Sequence, residues 1–110
     1  MAVGKKVSFD YDGVLTNPKV ADVFDRWKAT GDKMYIVTAR PDAWMAPVYQ
    51  FAREHGIPRS QVINTSGADK WHTILKLGID KHVDNNVHQQ ALIRKNTSAA
   101  TWSVTDVLKS

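Results

Sequence analysis

The chain contains no cysteine. That excludes a disulfide framework, a thiolate metal centre and a cysteine nucleophile. No stretch approaches the ~18 consecutive apolar residues of a membrane span. The opening residues, MAVGKK, set their charge directly against a short apolar run that ends at Asp10, which is not the order of a secretion signal. A soluble cytoplasmic protein is expected. No sign of charge dominates: 15 lysines and arginines face 11 aspartates and glutamates, a net charge of +4 over 110 residues. The cationic residues are scattered, and only Lys5-Lys6 and Arg94-Lys95 are adjacent, which reads as a solvated surface rather than a nucleic-acid stripe. Repeats, linkers and low-complexity runs are also missing. What remains is 43% hydrophobic and 24% charged, the composition of one folded domain over residues 1–110 with a core that holds without staples.

The hydrophobic period switches regularly along the chain. Lys5–Phe9, Met34–Thr38, Gln61–Asn64, Lys81–Asp84 and Ala99–Val104 read as strands. Met34–Thr38 is apolar on both faces, as a buried parallel strand is. Between the strands lie helical patterns. Asn17-Pro18 reads as an N-cap followed by proline at the first helical position, ahead of Val20, Val23, Phe24 and Trp27 on one face. A second helix carries Trp44, Val48, Phe51 and Ala52, with Pro47 marking its first turn or a kink. Trp44 falls on its apolar face and reads as core, as do Trp27, Trp71 and Trp102. Ser66 is expected to cap a third helix, with Trp71, Ile74 and Leu75, that stops at Gly78. Val87, Ala91 and Leu92 suggest a fourth. Strict β-α alternation predicts an α/β fold, a parallel sheet with helices on both faces. In such sheets ligands bind at the carboxyl ends of the strands.

Polar residues collect at those ends. The first strand runs into Asp10-Tyr11-Asp12-Gly13, the second into Thr38-Ala39-Arg40, and the fourth into Asp84-Asn85-Asn86, while Lys70 stands near a helix start. Each piece alone has a plain reading: turn punctuation for DYDG, a helix cap for DNN, solvated surface for Arg40 and Lys70. Together they bring Asp10, Asp12 and Asp84 to one rim. Two carboxylates 4 Å apart cost about 4 kcal/mol at an effective dielectric of 20. A hard divalent cation removes that cost, and an all-oxygen set without cysteine or histidine suits magnesium. A threonine hydroxyl and a lysine ammonium match phosphoryl oxygens.

These segments resemble the four motifs of the haloacid dehalogenase superfamily of phosphohydrolases. VSFDYDGVLT is similar to the first motif, YIVTAR to the second, Lys70 to the third-motif lysine, and KHVDNN to the fourth. The resemblance covers Val7 to Arg94. It implies a three-layer Rossmann-like fold whose five-stranded parallel sheet has the order 3-2-1-4-5. It also implies a phosphatase that works through an aspartyl-phosphate. Asp10 would be the nucleophile and Asp12 the acid and base. Thr38 would bind the phosphoryl group, and Lys70 would offset its charge. Gly13, Ala39 and Arg40 would contact substrate. Asp10, Asp12 through its carbonyl, Asp84 and Asn85 would hold Mg2+. Asn85 stands where many members carry a second acidic residue, and its amide oxygen can still touch the metal. Lys76 is the alternative for the third-motif lysine.

No inserted cap finds room after the first motif or after the third strand, so the resemblance is to a capless member. TARP followed by a helix and HGIP resembles the phosphatase domains of polynucleotide kinases and the deoxynucleotidases. A nucleotide or polynucleotide phosphate is then the expected substrate, with Tyr11 and Trp44 as stacking candidates. A non-catalytic phospho-binding or regulatory module on the same fold is the competing reading, and oligomeric state stays open. A receiver-type signalling domain is disfavoured, because the third strand ends in Asn64 and not in an aspartate.

Overall fold

The computed structural model describes residues 4–110, with a radius of gyration of 12.8 Å. The strands are β1 (Lys6–Phe9), β2 (Lys33–Thr38), β3 (Val62–Asn64), β4 (Lys81–Val83) and β5 (Ala100–Trp102). They form one all-parallel sheet in the order β3-β2-β1-β4-β5. The helices are α1 (Pro18–Ala29), α2 (Ala46–Glu54), α3 (Trp71–Leu77), α4 (Val87–Asn96) and α5 (Val104–Leu108). Successive strand residues point to opposite faces, and this alternation divides the core in two. Val7, Phe9, Met34, Ile36 and Val83 pack with residues of α1, α2 and α5. Tyr35 and Val37 pack with Ile74 of α3 and Ile93 of α4.

The local signals that hold are those with a single mechanism. Asn17 caps α1 by accepting from the Lys19 amide at 3.0 Å, with Pro18 directly after it. Pro47 lies in the first turn of α2, so it starts that helix and does not kink it. Gly78 ends α3 in the left-handed conformation, at φ 65°.

Four local expectations are corrected. Trp44 is 64% exposed, not core. Because Pro47 belongs to the first turn, α2 begins only at Ala46 and Trp44 ends a separate 3-10 turn (Asp42–Trp44); Met45 takes the buried position. Ser66 caps nothing: its φ is 52°, its hydroxyl donates to Asp42 Oδ1 at 2.7 Å, and α3 starts at Trp71. Val87 is 73% exposed and Leu75 is also exposed. The inward side of α4 instead carries Gln89, Gln90, Leu92, Ile93 and Asn96, and three polar residues out of five hide the apolar period. Finally, β5 stops at Trp102 because Ser103 caps α5, a helix that strand reading alone passed over. Its capping box was in the sequence: Ser103 accepts from the Asp106 amide, and the Asp106 carboxylate accepts from the Ser103 amide.

Candidate active site

The site grows from the continuation of the sheet ladder past the strand ends. The Asp10 amide donates to the Val83 carbonyl at 2.9 Å, and the Asp84 amide to the Trp102 carbonyl at 3.0 Å. These bonds fix Asp10 and Asp84 side by side at the carboxyl edge of β1 and β4. Beyond Asp10 the chain makes a tight turn over Tyr11–Leu15, in which Asp12 is extended and Gly13 has φ 71°. A side chain at Gly13 would be strained by that φ and would approach Asn85 Nδ2 at 3.5 Å.

Of the two lysines, Lys70 is the one that the structure brings to Asp10 and Asp84. It is 4% exposed, with Nζ 2.6 Å from Asp84 Oδ2 and 3.3 Å from Asp10 Oδ1. Lys76 is exposed on the last turn of α3. The Lys70 amide donates to Gln89 Oε1 at 3.0 Å, and Gln89 Nε2 donates to Asp69 Oδ1 at 3.0 Å, so one glutamine of α4 clamps the start of α3.

The two carboxylates respond in opposite directions. Burial pushes the Asp10 carboxyl above the usual range; Lys70 pulls it back, while the Asp84 charge pushes it further up. Burial also works against ionised Asp84, but the His82 hydrogen bond and the Lys70 charge overcome it and hold this carboxyl at about 2. Asp84 is thus a fixed anion, pinned at Oδ2 by Lys70 and His82 and at Oδ1 by the Asn86 amide at 2.9 Å.

Thr38 ends β2 with its side chain turned inward, 1% exposed. Its hydroxyl is close enough to Asp10 to lower that carboxyl slightly, yet it lacks hydrogen-bond geometry to any partner. Among the described residues it is the one buried side-chain polar atom left unpaired. Such an atom costs roughly 1–3 kcal/mol.

At the mouth stands Asp12, its side chain 56% exposed, with Oδ2 3.1 Å from Arg40 Nε. Arg40 also lies over the Tyr11 ring and donates to the Trp44 carbonyl. Its backbone is held at both ends by Asn64: Oδ1 accepts from the Arg40 amide at 3.0 Å, and Nδ2 donates to the Arg40 carbonyl at 2.9 Å. Ala39, Gly67 and Ala68 keep the mouth clear with small side chains. Together with Asp10, Asp12, Lys70, Asn86 and Gln89 they line a cavity of about 340 Å³.

Asn85 is less central than expected. Its Nδ2 donates to the Gly13 carbonyl at 2.9 Å, so it staples the end of β4 to the turn after β1, and it is exposed. Three residues escaped the sequence reading: Gln89, Asn64 and His82. Gln89 and Asn64 gave no signal. His82 did, since it stands two residues before Asp84 and therefore on the same face of β4.

Among the described residues no three carboxylate or imidazole side chains gather to hold a metal ion. The donor set is smaller and wholly oxygen: Asp10 Oδ2, which accepts no hydrogen bond from the described residues, Asp84 Oδ1 and the carbonyls of the turn. That chemistry fits a hard cation with several waters of its own. No helix of the described residues is long and apolar enough to cross a membrane. No family model matches the chain, and it matches none of the curated proteins and none of the solved structures.

Proposed function

We propose that the chain is a magnesium-dependent phosphatase of the haloacid dehalogenase type, with the three-layer Rossmann-like fold of that superfamily. It would hydrolyse a phosphomonoester, with a nucleotide or polynucleotide end as the expected class. The observation that carries the reading is the unpaired Thr38 hydroxyl, buried beside Asp10, which Lys70 pairs with from another side. A buried polar atom left unpaired beside a charged group calls for a partner, and a bound ligand can supply it. A hydroxyl donor and an ammonium at the same carboxylate suit a phosphoryl group.

The residues then take these roles. Asp10 attacks phosphorus through one carboxylate oxygen; an acyl-phosphate bond forms and the ester P–O bond breaks. Asp12 gives its proton to the leaving oxygen and later takes one from the water that hydrolyses the acyl-phosphate. Arg40 holds Asp12 in the resting site. An arriving phosphate dianion competes for that guanidinium, which frees Asp12 to turn toward the leaving oxygen. Thr38 and Lys70 bind the equatorial oxygens. Asp10, Asp84 and the Asp12 carbonyl would hold Mg2+, whose chemistry is to neutralise charge on the phosphoryl oxygens. With no inserted domain between β1 and α1 or between β3 and α3 among the described residues, water is excluded only by what the substrate itself covers.

The test is release of phosphate from nucleotides, sugar phosphates and 3′-phosphorylated oligonucleotides, with and without magnesium, by the wild type and Thr38→Val. The isosteric valine removes the unpaired hydroxyl. Thermal stability is expected to be unchanged or raised, while activity falls about 100-fold, the size seen when one donor to a developing charge is lost. Full activity in Thr38→Val removes the main support for the reading. Phosphate-dependent binding without turnover across the panel favours a non-catalytic phospho-binding module.

A further inference from the structure

We infer that His82 is a positioning residue of this site: bridged to Ser8 behind it, the imidazole fixes the Asp84 carboxylate and, through it, the Lys70 ammonium opposite Asp10. The inference rests on the proposed reaction, which gives the ring no step of its own. His82 is wholly buried in the middle of β4, and its register partner on β1 is Ser8. Its Nδ1 lies 2.7 Å from Ser8 Oγ and its Nε2 lies 3.0 Å from Asp84 Oδ2. An ionised carboxylate only accepts hydrogen bonds. Nε2 therefore carries a proton whatever the charge on the ring, and the Ser8 hydroxyl, donor or acceptor, fits the role left at Nδ1.

The consequence is geometric. Asp84 Oδ2 takes donors from Lys70 and His82, and Oδ1 takes one from the Asn86 amide. Three donors from three directions set the plane of the carboxylate. Without the ring, the plane of the carboxylate is held only by Lys70 and the Asn86 amide and can tilt. Lys70 follows it, because its 2.6 Å contact to Asp84 is far tighter than its 3.3 Å contact to Asp10. The phosphoryl group and the nucleophile would then meet a displaced ammonium. Space-filling does not explain the choice of residue. Ser8 and His82 interrupt a face otherwise packed by Tyr35, Val37, Ile74 and Ile93, where an aliphatic side chain would fill the volume and would leave Ser8 unpaired.

The test compares His82→Gln with His82→Asn in the full chain. The glutamine amide reaches about as far as Nε2, so it can keep the bond to Asp84; the asparagine amide ends near Nδ1 and cannot. His82→Asn is expected to lose roughly 30- to 100-fold in kcat with KM within about threefold, and His82→Gln to stay within about fivefold of wild type. A role in packing alone predicts no such order. The second readout needs no turnover: the 1H–15N signal of the Lys70 ammonium, protected by burial in wild type and His82→Gln, is lost to exchange in His82→Asn. An unchanged Lys70 signal and unchanged kcat in His82→Asn overturn the inference. If His82→Asn does not fold, Ser8→Ala decides: a broadened Lys70 signal supports the relay, and an unchanged one overturns it. If the wild type hydrolyses no phosphomonoester, the proposed function fails, while the Lys70 signal still decides whether His82 positions the pair.

Discussion

Asp10→Asn is expected to reduce phosphate release by about 10⁴-fold or more, the scale on which loss of a covalent nucleophile is felt. Its fold should be unharmed, for a reason the geometry supplies. Asn Oδ1 can still accept from the Tyr11 amide, as Asp10 Oδ1 does at 2.8 Å. The charge removed is one that the native state holds at a disadvantage. The Asp10 carboxyl is raised above its ordinary value of 3.8 in the folded protein. Between that value and the raised one, the folded protein binds more protons than the unfolded chain, so this group's contribution to stability falls as pH rises. The penalty grows with pH until the raised value is passed. Asparagine removes it. The melting temperature of Asp10→Asn near pH 7 should therefore equal or exceed that of the wild type, and the difference should shrink toward pH 4. Retained phosphatase activity sinks the nucleophile assignment. A melting temperature well below wild type sinks the electrostatic account of the site.

Lys70→Met is expected to be the most damaging single substitution for stability. Methionine matches the stem of lysine in length, so the change isolates the ammonium. Removing it leaves Asp84, wholly buried, and Asp10, its side chain 14% exposed, without their shared counter-charge. Breaking a buried ion pair from one side costs about 3–5 kcal/mol. In a domain of this size each kcal/mol is worth roughly 4–8 °C of melting temperature. A fall on the order of 15–30 °C should follow, with loss of activity. Adding Asp10→Asn to Lys70→Met removes one of the two stranded charges and should recover part of the loss, so the pair is non-additive in a double-mutant cycle. A Lys70→Met protein within about 1 kcal/mol of wild type would show that the ammonium is not holding the two carboxylates together.

Much of this site was legible because its residues sit where the backbone leaves little choice. A parallel strand must end at the rim, so Asp10, Thr38 and Asp84 were placed by the strands that precede them. The turn at Gly13 and the caps at Asn17 and Gly78 each rest on one local mechanism. The sheet as built is all parallel in the order 3-2-1-4-5, as the motif resemblance implied. What escaped were contacts between segments distant in sequence. Asn64 holds Arg40 from a separate strand, and Gln89 clamps Lys70 from the next helix. Neither spacing nor composition marks an asparagine or glutamine as a clamp. Trp44 was misplaced because one proline decides where α2 begins, and a shift of two residues moves a side chain half-way round a helix.

The central place of β1 in the sheet bears on how the chain is made. Lys70 and Asp84 are both absent when Asp10 leaves the ribosome, and the Ser8–His82 bond spans 74 positions. Until β4 arrives, one edge of β1 has no neighbour and Lys70 lacks Asp84, the closer of its two carboxylate partners. Closure of so long a loop is slow compared with helix formation. The chain therefore cannot assemble the charged cluster early: a nascent or truncated product that ends before β4 carries Asp10 and Lys70 without Asp84. The charged cluster forms only when β4 docks on β1.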